Sequence, residues 1–171
     1  MKNSTRKLCR AGVIAALYVA LTYAFLPFAF GPFQIRPAEA LCILPLFFPE
    51  AVPALFVGCI LSNLTSPYVL FDVVFGSLAT FLAATGTYFI GKTIQKDFLK
   101  ILLGGLCPVL ANALIIPFVI VFLCGGAEGY SSAVIAYFSF AFSLFITESV
   151  FVYGLGTPLY FALKKYGKRT S

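Results

Sequence analysis

Acidic side chains are scarce in this sequence, with six among 171 residues, so the position of each one is informative. Glu148 lies deep inside a long apolar run, and Asn112 lies midway along another. Glu39 and Asp72 stand near the starts of two further apolar runs. A charged or amide group inside an apolar segment is costly, and it commonly faces a partner or a polar cavity. Because carboxylate and amide oxygens accept hydrogen bonds, these side chains predict a pocket for a planar solute with N–H donors.

Further polar and aromatic residues near the same ends of the apolar runs complete the candidate site. Tyr137 lies three helical turns before Glu148 on one stripe, which places its hydroxyl above the carboxylate. Arg36 is the one basic residue among them, so a phosphate or carboxylate solute is a poor match. The simpler alternatives are a structural partner for Glu148 and helix N-terminal charge for Glu39 and Asp72. The remaining candidates are Gln34, Asn63 and Tyr68, with Phe33 and Phe75 as additional stacking surfaces.

The composition assigns these residues to an integral membrane protein. Hydrophobic residues make up 61% of the chain, charged residues make up 11%, and the mean hydropathy is +1.00. A soluble domain of this length needs more surface charge than this chain possesses. The net charge of +6 comes from three basic clusters, one before the first apolar run, one between two later runs and one after the last, a pattern typical of cytoplasmic segments. We therefore expect a chain embedded in the lipid bilayer and no nucleic-acid partner.

The apolar runs predict a single all-α membrane domain, residues 1–171, built from six transmembrane helices. The expected spans are residues 8–30, 38–48, 51–62, 72–90, 101–123 and 131–163. The second and third are short and form a predicted hairpin with its inner turn near Pro49. The sixth is too long for an upright helix across about 30 Å of hydrocarbon, so we expect it to tilt, to bend near Gly154–Gly156 or to project into water. An even number of crossings with basic ends places both termini in the cytoplasm.

Several kinds of function find no support in the residue types. The sequence has no histidine, and its five cysteines show no C-x-x-C spacing, so neither a zinc site nor a disulfide framework is predicted. No nucleophile–base pair stands at a recognisable spacing, and no phosphate-binding loop of the G-x-x-x-x-G-K-[ST] type is present. We expect neither enzyme activity nor a cofactor or metal.

Small residues cluster on the first predicted helix. Ala11, Gly12, Ala15 and Ala16 follow one another closely, and small residues at such spacing let another helix approach. The sequence leaves two kinds of neighbour open for this face. One is another helix of the same protein, and the other is a second membrane protein.

Four stretches of the sequence resemble one family of transport proteins. The first is Phe30-Gly-Pro-Phe-Gln-Ile-Arg-Pro-Ala-Glu-Ala-Leu41, which is similar to the signature loop of the QueT family. The likeness continues through Leu44-Pro-Leu-Phe-Phe-Pro49, Phe56-Val-Gly-Cys-Ile-Leu-Ser-Asn63 and Asp72-Val-Val-Phe-Gly-Ser-Leu-Ala-Thr80. Members of that family are substrate-binding (S) components of energy-coupling-factor (ECF) transporters and are associated with queuosine precursors.

The resemblance implies a six-helix S component in the plasma membrane that captures its ligand from outside. The implied ligand is a deazaguanine, such as the aminomethyl form, whose N–H donors and cationic group suit an acceptor-rich site. The implied partners are a transmembrane coupling subunit, bound through the small-residue face of the first helix, and two cytoplasmic ATPases. The loop from Gly31 to Pro37 would act as a gate. A stand-alone solute carrier or channel is the alternative that the residues leave open.

Overall fold

The computed structural model describes residues 2–30 and 34–167, and helices dominate both ranges. We number the longer helices α1 to α6, and a 3-10 helix lies between α1 and α2. No strand occurs within these two ranges. The bounds are Lys2–Ala24 (α1), Pro37–Leu46 (the 3-10 helix), Ala51–Asn63 (α2), Val69–Thr93 (α3), Asp97–Leu123 (α4), Ala133–Gly154 (α5) and Gly156–Gly167 (α6), and a short helical turn, Leu26–Ala29, follows α1.

Four segments are long and apolar enough to cross a membrane. They are Ser4–Ala24, Val69–Thr93, Asp97–Leu123 and Ala133–Lys165. The predicted all-helical membrane class is therefore confirmed for the part of the chain that the structure describes. The 13 residues of α2 extend only about 20 Å along a helix axis, less than the hydrocarbon core requires, so the count of six crossings stays a prediction.

The 3-10 helix occupies the centre of the bundle. It was expected as residues 38–48, the first arm of a helical hairpin, and all ten of its residues from Pro37 to Leu46 are buried. A 3-10 helix of this length is unusual, because its hydrogen bonds are poorer than those of an α-helix. Pro45 also lacks an N–H to donate within it. Contacts with all six numbered helices hold this segment in place, so any polar side chain it carries lies in the core.

The start of α1, the hairpin turn and the end of α3 lie together at one end of the molecule, which we call the basic end. Arg10 of α1 forms an ion pair with Glu50 in the turn, with 2.7 Å between Nη1 and Oε1. A Cβ on Gly91 of α3 would lie 2.8 Å from the Cα of Leu46, so these two backbones are in close contact. The turn near Pro49 is thus at the end where the sequence places it, while the cytoplasmic location of this end stays a prediction.

The predicted span of residues 131–163 is divided at Leu155. Helix α5 ends at Gly154 and α6 begins at Gly156, which is the bend among the three alternatives. Lys164 of α6 forms an ion pair with Asp97 at the start of α4, and the Tyr160 hydroxyl donates to the same carboxylate at 2.8 Å. These contacts fix α6 at the basic end.

Helices α3 and α4 each contain a wider π-helical turn, Asp72–Gly76 and Val119–Leu123, away from the basic end. The Asn63 side chain stabilises the first of these turns, because its Nδ2 donates to the main-chain oxygen of Asp72 at 2.7 Å. A Cβ on Gly76 would lie 2.9 Å from that Nδ2, so glycine gives the amide the room it needs. Such π-helical turns occur frequently at functional sites.

Candidate functional site

A cavity of about 170 Å³ lies where α3 begins, next to both π-helical turns. We call it the Asp72 cavity. The Ser66 hydroxyl donates to Oδ2 of Asp72, and the main-chain N–H of Tyr68 donates to the Ser66 oxygen at 3.0 Å. These bonds hold one acidic and one aromatic side chain of the candidate site in the wall of one cavity. Its lining consists of Phe30, Gln34, Ser66, Pro67, Tyr68, Asp72, Ile120, Cys124 and Phe140.

Gln34 lines the same cavity in a strained backbone conformation. Its φ of 42° lies in the left-handed region, which residues other than glycine seldom adopt. The next residue is held by a hydrogen bond from the Ile35 N–H to the Phe28 carbonyl oxygen at 2.9 Å. Strain of this kind persists where the surroundings impose it, commonly at ligand sites. The predicted gate loop therefore contributes a buried, conformationally constrained carboxamide to the cavity.

A second group of polar side chains lies in the core, and we call it the buried cluster. Glu39 projects from the 3-10 helix and is 1% exposed. Its Oε1 accepts a hydrogen bond from the Tyr18 hydroxyl at 2.5 Å, and its Oε2 accepts from the Cys42 thiol at 3.2 Å. Both carboxylate oxygens of Glu39 are thus occupied within the protein. The buried cluster comprises Tyr18, Arg36, Glu39, Cys42, Asn112 and Glu148.

Glu148 and Asn112 form the other half of the buried cluster. The Asn112 Nδ2 donates to Oε1 of Glu148 at 3.0 Å, which joins α4 to α5 in the core. The second oxygen of Glu148, Oε2, is buried and has no hydrogen-bond partner among the described residues. The structure therefore provides Glu148 with a neutral partner for one oxygen and leaves the other free.

Arg36 is the basic member of the buried cluster. It interacts electrostatically with Asp72, Glu39 and Glu148, although none of these carboxylates forms an ion pair with it among the described residues. Its Nε donates to the Ala29 carbonyl oxygen at 2.9 Å, and its guanidinium lies 4.8 Å from the centre of the Phe30 ring. The guanidinium is thus held by a main-chain acceptor and an aromatic face.

The predicted acidic residues Glu39, Asp72 and Glu148 all interact electrostatically with Arg36, but they do not all line one hollow. Asp72 lines the cavity named after it, whereas Glu39, Asn112 and Glu148 lie deeper. Buried Ile116 and Leu144 pack together one helical turn from Asn112 and Glu148, on the side towards the cavity. An apolar layer thus separates the Asp72 cavity from the predicted floor near Glu148.

Other predicted site residues have mixed positions. The Tyr137 hydroxyl donates to the Leu114 carbonyl oxygen at 3.3 Å and its ring lies beside Phe122, so this side chain does not line the Asp72 cavity. Tyr68 is half-exposed at the cavity. Asn63 is fully buried, and its Oδ1 has no hydrogen-bond partner within the described chain. Phe33 and the rest of residues 31–33 of the gate loop lie outside the described residues.

Sequence reasoning missed several contributors, among them Tyr18 and Ser66. Tyr18 lies in an apolar helix, where the sequence does not distinguish a buried tyrosine from one that faces lipid. In the structure it is fully buried, and its hydroxyl donates to Glu39. Ser66 was not among the predicted site residues, although its hydroxyl donates to Asp72. The one available signal was the proximity of Ser66 to Asp72 along the chain.

The small-residue face of α1 divides into two parts. Ala11 packs against the core, and the main-chain oxygen of Ala15 would lie 3.2 Å from a Cβ on Gly58 of α2. Gly12 and Ala16 are exposed, and a Cβ on Gly12 would meet nothing within 4 Å. They line an open groove on α1, which we call the α1 groove, together with Ala15, Val19, Ala20, Tyr23 and Leu61.

Comparison with known proteins provides the family. Neither the curated proteins nor the solved structures gave a match to this chain. A family model described as QueT transporter matches residues 8–165, nearly the whole length, which agrees with the resemblance of the loop around Arg36 and with the membrane-spanning helices. The chain therefore belongs to the QueT transporter family.

Proposed function

We propose that this protein is the substrate-binding subunit of an ATP-driven ECF importer in the plasma membrane, and that it captures a queuosine precursor of the deazaguanine class from outside. Membership of the QueT transporter family supports a transport role. The observation that carries the ligand proposal is a pair of buried acceptors, Oδ1 of Asn63 and Oε2 of Glu148, which have no partner in the described chain.

The chemistry of the site matches a flat ligand that is rich in donors. A deazaguanine presents N–H groups along one edge, and carboxylate and amide oxygens only accept from them. Aromatic rings of Phe30, Tyr68 and Phe140 line the Asp72 cavity and offer faces for stacking. The proposed binding residues are Gln34, Arg36, Asn63, Tyr68, Asp72, Asn112 and Glu148, whereas the carboxylate of Glu39 and the hydroxyl of Tyr137 are engaged within the protein.

Binding requires the cavity to enlarge. Ligand sites commonly enclose about 300–1,000 Å³, and the Asp72 cavity has about 170 Å³. The strained Gln34 and the gate loop beside it are the elements whose movement would open a path towards the buried cluster. We therefore assign residues 31–37 as the gate.

Transport energy would come from partners. The exposed part of the α1 groove, with Gly12 and Ala16, offers close backbone approach to a helix of a transmembrane coupling subunit. Two cytoplasmic ATPases would complete the importer. In this arrangement the chain binds its solute and does not itself hydrolyse ATP.

The test is to purify the chain, identify any ligand that copurifies by mass spectrometry and titrate aminomethyl and cyano deazaguanine. We expect binding of a deazaguanine, and no sustained flux into liposomes that contain this chain alone. Glu50→Gln serves as the matched control for acidic variants of the site, because Glu50 lies at the basic end. Flux by the chain alone would instead identify a stand-alone carrier, and the absence of deazaguanine binding would refute the proposed ligand class.

A further inference from the structure

The three acidic residues near Arg36 differ in how their oxygens are used. Both oxygens of Glu39 accept hydrogen bonds, from a hydroxyl and a thiol. One oxygen of Asp72 accepts from Ser66, at the wall of the cavity. Glu148 has one oxygen bound by Asn112, while Oε2 is fully enclosed and has no partner in the described part of the chain. Of these three acids, Glu148 is thus the one with a buried oxygen, Oε2, that accepts no hydrogen bond in the described part of the chain.

An unused carboxylate oxygen in the core is a strong reason to expect a ligand. Most buried polar atoms in native proteins have a hydrogen-bond partner, and each exception needs an explanation. The Glu148 side chain is 4% exposed, so bulk water does not provide this partner. Asn112 donates to the other oxygen and thereby holds the carboxylate in a defined orientation. The site therefore has a positioned acceptor and lacks a donor.

The surrounding charge indicates what kind of donor fits. Within the part of the chain that the structure describes, Arg36 is the cation that interacts electrostatically with Glu148, and the acidic side chain of Glu39 does so as well. Arg36 also interacts with Asp72, and its Nε is engaged with the Ala29 carbonyl oxygen. Three acidic side chains thus interact electrostatically with one guanidinium, and none of them is in an ion pair with it in the described ranges. A ligand that brings a positive charge would stabilise the ionised form of such an acid.

We infer that Oε2 of Glu148 accepts a hydrogen bond from a cationic amine of the solute and that Asn112 is the positioning residue for this carboxylate. Glu39, whose oxygens are both occupied, has a structural role on the 3-10 helix. This inference rests on the proposed function and extends it, because it assigns the selection of an amine over a neutral substituent to one side chain. Charge-assisted hydrogen bonds are about twice as strong as neutral ones, which makes such selection effective.

The test uses two ligands that differ in one substituent, aminomethyl deazaguanine and cyano deazaguanine. Both are titrated into the full chain in detergent micelles, with the wild type, Glu148→Gln and the control Glu50→Gln. In Glu148→Gln we expect the affinity for the aminomethyl ligand to fall about 10- to 100-fold. The affinity for the cyano ligand should change by less than about threefold, since a nitrile does not donate. Glu50→Gln should bind both ligands as the wild type does.

The two proposals can fail separately. If Glu148→Gln weakens both ligands equally, or neither, the assignment of the amine to Glu148 is overturned while the proposed function stands. If the wild type binds neither ligand, the proposed function fails and the assignment fails with it. If Glu148→Gln does not fold, Glu148→Asp replaces it. Aspartate is one methylene shorter, so its carboxylate lies farther from the ligand, and the preference for the aminomethyl over the cyano ligand should fall. An unchanged preference in that variant would also overturn the assignment.

Discussion

The basic end and the buried cluster both contain charged side chains, but they partner them differently. At the basic end each acid has a cation: Glu50 pairs with Arg10, and Asp97 pairs with Lys164. In the buried cluster Glu39 accepts from a hydroxyl and a thiol, and Glu148 accepts from an amide. The cation of each ion pair is therefore accessible to water, at 44% exposure for Arg10 and 36% for Lys164, whereas Glu39 and Glu148 accept from neutral donors.

This difference shows which charges serve structure and which are available for a ligand. The Arg10 side chain is 44% exposed, so water solvates its charge whether or not the pair with Glu50 forms. Glu39 and Glu148 are at most 4% exposed, so bulk water does not replace a protein partner that either side chain loses. Loss of one polar group in the core leaves another buried without a partner, which is the costly case. Variants of the two regions should accordingly differ in the size of their effects.

The largest effect is expected from Arg36→Met. This substitution removes the guanidinium that interacts electrostatically with Glu39, Asp72 and Glu148, and it leaves the buried Ala29 carbonyl oxygen without the Nε donor. We expect a loss of about 3–5 kcal/mol in the free energy of unfolding, measured by denaturant titration in micelles. Arg6→Met, at an exposed position of α1, is the matched control and should be near neutral. Equal stability of the two variants would contradict the distinction between the regions.

A smaller effect is expected from Tyr18→Phe. The variant keeps the ring in the core and removes the hydroxyl that donates to Oε1 of Glu39, so one carboxylate oxygen becomes buried and unpaired. The expected loss is about 1–3 kcal/mol in the free energy of unfolding. Tyr23→Phe is the control on the same helix, because its hydroxyl makes a long, exposed contact of 3.4 Å with the Leu61 carbonyl oxygen. If Tyr23→Phe lost as much stability as Tyr18→Phe, the hydrogen bond from Tyr18 to Glu39 would contribute no more than an exposed one.

Much of the fold follows from the lengths of the apolar runs, because a membrane-crossing helix needs about 20 apolar residues. Residues 72–90 and 101–123 were expected as helices, and α3 and α4 contain them with a few additional residues at their ends. The 3-10 path of Pro37–Leu46 and the two π-helical turns could not be predicted in this way. Hydrophobicity indicates which residues are buried. Whether a segment forms 3-10, α- or π-helical hydrogen bonds depends on the helices packed against it.

The site shows a similar division between predictable and unpredictable features. Glu39, Asp72, Asn112 and Glu148 were selected because polar groups are expensive in an apolar segment, and all four are buried. Helical spacing also placed Tyr137 above Glu148, but the Tyr137 hydroxyl bonds to Leu114 on α4. Which oxygen is occupied and which is free depends on contacts between helices, and the order of residues within one helix does not contain that information.

The smallest effect is expected at the ion pair between Arg10 and Glu50. A double-mutant cycle with Arg10→Met and Glu50→Gln should give a coupling of about 0.2–1 kcal/mol in the free energy of unfolding, as for other exposed pairs. The cycle is needed because the Arg10 guanidinium also lies 4.1 Å from the centre of the Phe48 ring, and a single variant would lose both contacts.

High salt should weaken the coupling between Arg10 and Glu50, since mobile ions screen charges that water reaches. The effect of Tyr18→Phe should be insensitive to salt, because a fully buried hydroxyl is not exposed to mobile ions. A large coupling at Arg10 that persists in high salt would mean that the basic end is as dependent on its polar contacts as the core.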